Sequence, residues 1–201
     1  MRIYLASRSP RRRELLTQVS VRFDTVLFRG GERVDQEVDE TPLPGESAEA
    51  YVERVARAKA EHGGRILLWR KLLAQPVLSA DTTLEFGGEI IGKPDSQAHA
   101  IEILRSLSGQ THRVLTGVAV HGEERTEYVL SRSEVRFRPL DEREIRAYVM
   151  TGEPMDKAGA YGIQGRASLF VEHLAGSFSG VMGLPLCETG QLLKRFAYEV
   201  L

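Results

Sequence analysis

A single cysteine, Cys187, among 201 residues excludes an internal disulfide and fits a reducing compartment. Neither sign of charge is in excess. The 27 Lys+Arg stand against 28 Asp+Glu, whereas a general nucleic-acid binder is usually strongly basic. Long hydrophobic runs are missing too. The most apolar window, Arg65 to Ala80, is broken by Arg70, Lys71, Gln75 and Pro76, well short of the roughly 20 apolar residues that span a bilayer. The apolar stretch before Ser7 is too short for a signal-peptide core, so a cytoplasmic protein with no membrane partner is expected. His62, His99, His112, His121 and His173 form no close pair on a helix and have no cysteines beside them, which argues against zinc. No repeat, linker or low-complexity segment divides the chain, so one domain over residues 1–201 is expected.

What is present is ordinary globular composition, 42% hydrophobic and 27% charged. A chain of this length buries roughly 70% of its unfolded surface without a staple. Ile3 to Ala6 reads as a buried strand. A helix from Pro10 to about Gln18 follows, with Ser9 suited to its N-cap. Arg22 to Leu27 is a second strand. Arg29 to Pro44 is a long polar loop with five acidic residues, Glu32 and Glu37 among them. A helix opens at Ser47 and is expected to end near Gly63-Gly64. Pro76 to Ala80 is a short strand leading into Asp81-Thr82-Thr83, and Gly87-Gly88 signals a hairpin within Leu84 to Ile91. Further helices are expected at Asp95–Leu107, Asp141–Met150 and Leu186–Phe196, and further strands at Val114–Val120, Tyr128–Phe137 and Leu169–Leu174. Alternating strands and helices with hairpin pairing in the middle predict an α/β fold with a mixed central sheet flanked by helices.

Three motif-like segments fail as motifs. Gly87 to Pro94 approaches a P-loop but ends on Pro94, which has no hydroxyl for magnesium. Gly176-Ser177-Phe178-Ser179-Gly180 has Phe178 where a nucleophile elbow needs serine. Cys187, in the apolar run Gly183-Leu184-Pro185-Leu186-Cys187, reads as a buried structural thiol.

Three others point to chemistry. Ser7, Arg8, Ser9, Arg11, Arg12 and Arg13 lie where a strand ends and a helix begins, and helix N-termini attract anions. Three consecutive arginines oppose the helix dipole there, which fits either an anion that completes the site or a solvated basic face. Asp81 follows a strand, where ligands of open α/β sheets bind. It reads as a general base, a metal ligand or a turn aspartate. Gly152 to Gly165 contains Asp156 and Gln164, with three glycines in its last seven residues. It fits either close approach to a ligand or a plain glycine-rich turn.

Taken together, these segments resemble the Maf family of nucleoside triphosphate pyrophosphatases. The resemblance rests on Leu5-Ala6-Ser7-Arg8-Ser9-Pro10-Arg11-Arg12-Arg13-Glu14-Leu15-Leu16, Asp39-Glu40-Thr41-Pro42, Ala56-Arg57-Ala58-Lys59-Ala60, Ala80-Asp81-Thr82, Gly92-Lys93-Pro94, Leu107-Ser108-Gly109 and the Gly152–Gly165 segment. It spans essentially the whole chain in order, although Phe28 to Val38 is longer than is usual in that family. The resemblance implies a two-lobed, ITPase-like fold with a cleft. The form Asp156-Lys157-Ala158-Gly159-Ala160-Tyr161-Gly162-Ile163-Gln164-Gly165 implies the subgroup that hydrolyses dTTP and UTP to monophosphate and pyrophosphate, a house-cleaning activity linked with arrest of cell division. By the same resemblance Asp81 would be the proton acceptor. Arg11, Thr82 and Gln164 would set selectivity, and Ser7, Arg12, Lys59 and Lys93 would hold the triphosphate. Glu40, Asp81 and Asp156 would form the metal-linked acidic part, with Mg²⁺ or Mn²⁺ as cofactor. A homodimer is also implied.

Residue chemistry agrees with that assignment. Cleavage between the α and β phosphates needs an aimed water and positive charge for the developing oxyanions. Oxygen donors suit Mg²⁺ or Mn²⁺. Gln164 can pair with both the carbonyls and the N–H of a uracil-type base. The competing reading is a non-catalytic regulator of cell division that binds nucleotide or nucleic acid through the arginines. Acids such as Asp81 and Asp156 would repel its anionic ligand unless a cation intervened.

Overall fold

The computed structural model describes residues 2–27, 38–123 and 125–200. The part of the predicted 29–44 loop that runs to residue 37, with Glu32 and Glu37, lies outside them. In chain order the elements are β1 (Ile3–Leu5), α1 (Pro10–Gln18), β2 (Phe23–Thr25), α2 (Ala48–Trp69), β3 (Val77–Phe86), β4 (Glu89–Ile91), α3 (Gln97–Leu107), β5 (Thr111–Gly122), β6 (Arg125–Phe137) and α4 (Glu142–Met150). Three short 3₁₀ turns between Glu153 and Leu169 follow, then β7 (Val171–Ala175), α5 (Phe178–Met182) and α6 (Leu186–Lys194). No helix among the described residues is long and apolar enough to cross a membrane.

The sheet is mixed, as the alternation predicts, in the order β2-β1-β3-β5-β6-β7, with β4 also on β3. β1 pairs in parallel with β2 and β3, and every other pairing is antiparallel. One edge of β3 pairs with β5 continuously from Val77 to Glu85. The other edge is shared. β1 takes Val77 and Leu78, and β4 takes Leu84 to Phe86. Among the described residues no strand occupies that edge from Ser79 to Thr83. The sheet therefore carries an internal gap, and Asp81 stands at its centre.

The gap also lies between two cores. One packs Ile3, Leu5, Leu16, Leu78, Leu184 and Phe196. The other packs Leu84, Leu104, Leu107, Phe137, Ile145 and Phe170. β3 runs from the first core, through Leu78 and Ala80, to the second, through Leu84. The two-lobed expectation has this physical basis: one strand crosses between two hydrophobic clusters, and its polar residues fall at the crossing.

Local signals explain most helix starts. Ser47 accepts a hydrogen bond from the Ala50 N–H at the head of α2. Ser96 does the same for His99 at α3, and Asp141 with Glu144 forms a capping box at α4. Ser9 precedes α1 but makes no side-chain cap. Its own N–H is taken by the Ser7 hydroxyl.

Three expectations are corrected. α2 continues past Gly63-Gly64 to Trp69. A Cβ at Gly63 would sit 2.7 Å from a Val77 methyl, and one at Gly64 would strike the His121 ring. These glycines let the helix lie close on the sheet, at about 1 kcal/mol of helix propensity each. β3 does not end before Asp81 but continues to Phe86. Cys187 is exposed in the first turn of α6, because Leu184, Pro185, Leu192 and Leu193 take the buried positions around it.

Candidate active site

The gap in the sheet opens into a cleft of about 760 Å³. Ser7, Arg11, Arg12, Glu40, Lys59, Asp81, Thr82, Lys93, Asp156 and Gln164 all line it. They come from six separate stretches of chain, which the sheet topology brings to one place. Arg13, the third of the consecutive arginines, is exposed on α1 and does not line the cleft.

Strand alternation divides the work of β3 between its two faces. Ser79 and Asp81 face α2. The Ser79 hydroxyl donates to the Ala56 carbonyl at 2.5 Å. One helical turn on, Lys59 Nζ donates to Asp81 Oδ1 at 2.9 Å. Thr82 points to the opposite face, toward α1 and α5. Because the edge is open, residues of both faces reach the same cleft.

Lys59 is held between two carboxylates. Its ammonium lies 2.9 Å from Asp81 Oδ1 and 2.9 Å from Glu40 Oε1. Burial pushes the Asp81 carboxyl above the usual carboxylate range, and Lys59 and then Arg12 pull it part of the way back. Glu40 is placed by α2. The Tyr51 hydroxyl donates to the Glu40 carbonyl at 3.0 Å, and Arg54 donates to the carbonyls of Asp39 and Thr41. The same Arg54 grips Glu46 through two nitrogens and holds its carboxyl at about 2.

Arg12 is fixed by three acceptors. Nε donates to the Gly183 carbonyl at 2.8 Å, Nη1 to Ser7 Oγ at 3.2 Å and Nη2 to Thr82 Oγ1 at 3.3 Å. Hydrogen-bond accounting then assigns the hydroxyl protons. Ser7 Oγ accepts from both Arg12 and the Ser9 N–H, so its proton is left to be donated elsewhere. Thr116 donates its only hydroxyl proton to the Gly180 carbonyl at 2.8 Å. Its 3.0 Å contact with Thr82 therefore uses the Thr82 proton. Thr82 accepts from Arg12 with one lone pair, and the second makes it an acceptor toward the cleft.

The opposite wall is the Gly152–Gly165 segment. Asp156 accepts from Lys157 Nζ at 2.6 Å and lies 3.6 Å from Arg11. Burial works to raise its carboxyl, and these two cations outweigh it, leaving it below its ordinary value. Gly159 has φ +70°, and a Cβ there would strike Leu84, so this wall docks on the far end of β3. Its N–H donates to the Gly92 carbonyl beside the exposed Lys93. Gln164 is exposed at the cleft between Gly162 and Gly165. Behind it, the buried Tyr161 hydroxyl lies 2.8 Å from His112 Nε2, and burial lowers that imidazole to about 4, keeping it neutral.

The expected three-acid metal centre does not assemble. The described residues contain no group of three or more His, Cys, Asp or Glu side chains placed to hold one ion. Asp156 is taken by Lys157 and Arg11, whereas Glu40 and Asp81 share Lys59. Two converging hard carboxylates still fit Mg²⁺ or Mn²⁺, because such ions use one or two carboxylates and complete their shell with water and substrate phosphates.

Several contributors had no visible signature in the sequence. Gly183 acts through its carbonyl, and Thr116 lies in an apolar strand. Arg54 is legible only in hindsight, as a cation one to two turns before Lys59 on the helix that follows Glu46.

A family model described as Maf-like protein matches residues 2–196. A dTTP/UTP pyrophosphatase of Dechloromonas aromatica is 72% identical over 100% of both chains. One of Aromatoleum aromaticum is 65% identical over 99% of this chain and 97% of its own. Another, of Nitrosospira multiformis, is 53% identical over 99% of this chain and 96% of its own. Among solved structures, the Staphylococcus aureus Ham1 protein is similar with a TM-score of 0.47 and 18% identity, covering 68% of this chain and 72% of that one.

Proposed function

The chain belongs to the Maf family, and on that premise we propose that its cleft hydrolyses dTTP and UTP to the monophosphate and pyrophosphate. The observation that carries the chemistry is the buried Asp81 paired to Lys59 in the open edge of β3, beside an immobilised Arg12. A phosphate-binding regulator would gain from Arg12 and Lys59, but Asp81 and Glu40 would repel its ligand. A hydrolase needs an acid there.

In this reading, Asp81 takes the proton of a water that attacks the α phosphorus. The bond to the β phosphate's bridging oxygen breaks, and pyrophosphate leaves. Lys59 keeps Asp81 ionised against the pull of burial. Arg12 and the free Ser7 hydroxyl proton face phosphate oxygens, and Lys93 meets the departing charge at the rim. Glu40 and Asp81 would hold the divalent ion, which supplies positive charge to the triphosphate and acidifies water. Thr82, an acceptor toward the cleft, suits the ring N–H of a uracil or thymine. Gln164 and Arg11 suit its carbonyls. Asp156 holds Arg11 in place.

The test is pyrophosphate release from dTTP, UTP, CTP, dATP, GTP and 7-methyl-GTP, with Mg²⁺ and with chelator. Metal-dependent release favouring dTTP and UTP is the expected result. Release favouring another base would discard the base assignment and keep the chemistry. Binding without release would favour the regulator.

A further inference from the structure

Gln164 sits on a segment with no strand or long helix to fix it, so something else must hold its position. The structure shows that support behind the segment. The Gly162 N–H donates to the Tyr148 hydroxyl at 3.3 Å, and that hydroxyl donates to Glu153 Oε1 at 3.0 Å. The other carboxylate oxygen, Oε2, accepts from the Arg166 N–H at 3.2 Å. Residues 162 and 166 lie two positions either side of Gln164, and both are tied to one Tyr148–Glu153 pair. The carboxylate lies against the main chain between them. A Cβ at Gly165 would strike it, and one at Gly162 would be 2.9 Å from Lys157 Cε.

The pair itself is well anchored. Tyr148 is 4% exposed on α4, with its ring 5.1 Å from Phe170 in an edge contact. Burial and the adjacent carboxylate push its phenol upward, so it keeps the proton it donates. Lys157 Nζ also donates to the Glu153 carbonyl at 2.6 Å.

We propose that Tyr148 and Glu153 form a clamp that positions Gln164, and that base selectivity depends on this clamp although neither residue lines the cleft. The proposal rests on the reading of Gln164 as a base-contacting residue. Both are positioning residues. The hydrogen bonds fix the backbone on each side of Gln164 before substrate arrives, so its amide need not be ordered during binding. Asp81, Lys59 and Arg12 stand on β3, α2 and α1, whereas the clamp's hydrogen bonds run to the main chain at Gly162 and Arg166. Loosening the clamp should blur recognition and leave the chemistry running.

The experiment measures kcat and KM for dTTP and for GTP in Tyr148→Phe, Glu153→Gln and Gln164→Ala. Tyr148→Phe keeps the ring packing and removes both hydroxyl bonds. Glu153→Gln keeps the shape but replaces one acceptor with a donor. Each is expected to raise KM for dTTP about tenfold, the size of a buried hydrogen bond to a charged group, with kcat little changed. The dTTP-over-GTP ratio of kcat/KM should fall in both, and Tyr148→Phe added to Gln164→Ala should lower it no further. A merely structural role would lower both nucleotides by the same factor. If Gln164→Ala lowers the ratio and the two clamp variants do not, the clamp is wrong and the base reading stands. If Gln164→Ala leaves the ratio unchanged, the base reading fails and the clamp's proposed purpose falls with it.

Discussion

The two walls of the cleft are built differently. On one side, Ser7, Arg12, Lys59 and Asp81 extend from β1, α1, α2 and β3 or from the residues that join them, and each is tied to its neighbours before any ligand arrives. On the other side, Gln164 is exposed on irregular chain between Gly162 and Gly165. Its order comes from behind, through Tyr148, Glu153 and the Gly92–Gly159 bond. Charge that must stabilise a transition state is worth most when fixed in advance, because reorganising it during reaction costs part of the gain. Recognition groups can stand on irregular chain, provided that a rigid scaffold positions it.

The sharpest way to break that contrast is Asp81→Asn. Turnover should fall roughly 10²–10⁴-fold, the range of a lost general base, while nucleotide still binds, as read by calorimetry. Stability should move the other way. The folded Asp81 carboxyl lies above its unfolded value, so its contribution to stability is greatest at low pH and declines as pH rises through the raised value. At neutral pH the carboxylate costs the fold something that the amide does not, and thermal denaturation should show Asp81→Asn no less stable than the parent. A clearly lower melting temperature would mean that the Lys59 pairing outweighs burial.

Next in size is Arg12→Lys. Lysine keeps the charge but cannot reach Gly183, Ser7 and Thr82 together from one planar fork. A loss of about 10²–10³ in kcat is expected, comparable to removing a preorganised oxyanion donor. An unchanged kcat would mean that charge alone suffices on this wall.

Gln164→Ala tests the other wall and should change the ratio of nucleotides about tenfold, with little effect on kcat for dTTP. A large loss of kcat would erase the division between the walls. The finest effect is on the pH axis. The acid limb of kcat/KM should lie above the ordinary carboxylate value of 3.8, because activity requires ionised Asp81. Lys59→Met should shift it further upward, since the opposite charge that pulls the Asp81 carboxyl down is removed. A downward shift would exclude Asp81 as the group that titrates.

The sequence revealed local order well and long-range order poorly. The helix starts near Ser47, Asp95 and Asp141 and the Gly87-Gly88 turn are legible because the residues that cause them are adjacent in the chain, although Ser9, the residue suited to cap α1, makes no side-chain cap. The extension of α2 beyond Gly63-Gly64 was not, because helix propensity at those glycines is overruled by Val77 and His121, which touch them from across the sheet. Asp81 was expected beyond a strand end. It lies instead in mid-strand, and only the sharing of one β3 edge by β1 and β4 exposes it. Cys187 stands out to solvent although its apolar neighbours turn inward at the start of α6. The residues that line the cleft are legible through the family resemblance. The supports behind them, Thr116, Arg54, Tyr148 and Glu153, act through main-chain and hydroxyl bonds that leave no motif.

The interrupted edge of β3 has a consequence for solubility. Unpaired strand edges recruit strands from other chains and seed aggregation. A chain with unpaired strand edge beside its cleft carries that hazard. Among the described residues the opening from Ser79 to Thr83 is five residues long, roughly 17 Å at strand spacing. β1 closes it at one end and β4 at the other, along the same line. A foreign strand could pair there over at most five residues unless it displaced one of them, whereas a ligand that enters side-on needs no such length. The sheet thus leaves only a short edge open, long enough for a small molecule and too short for a long foreign strand.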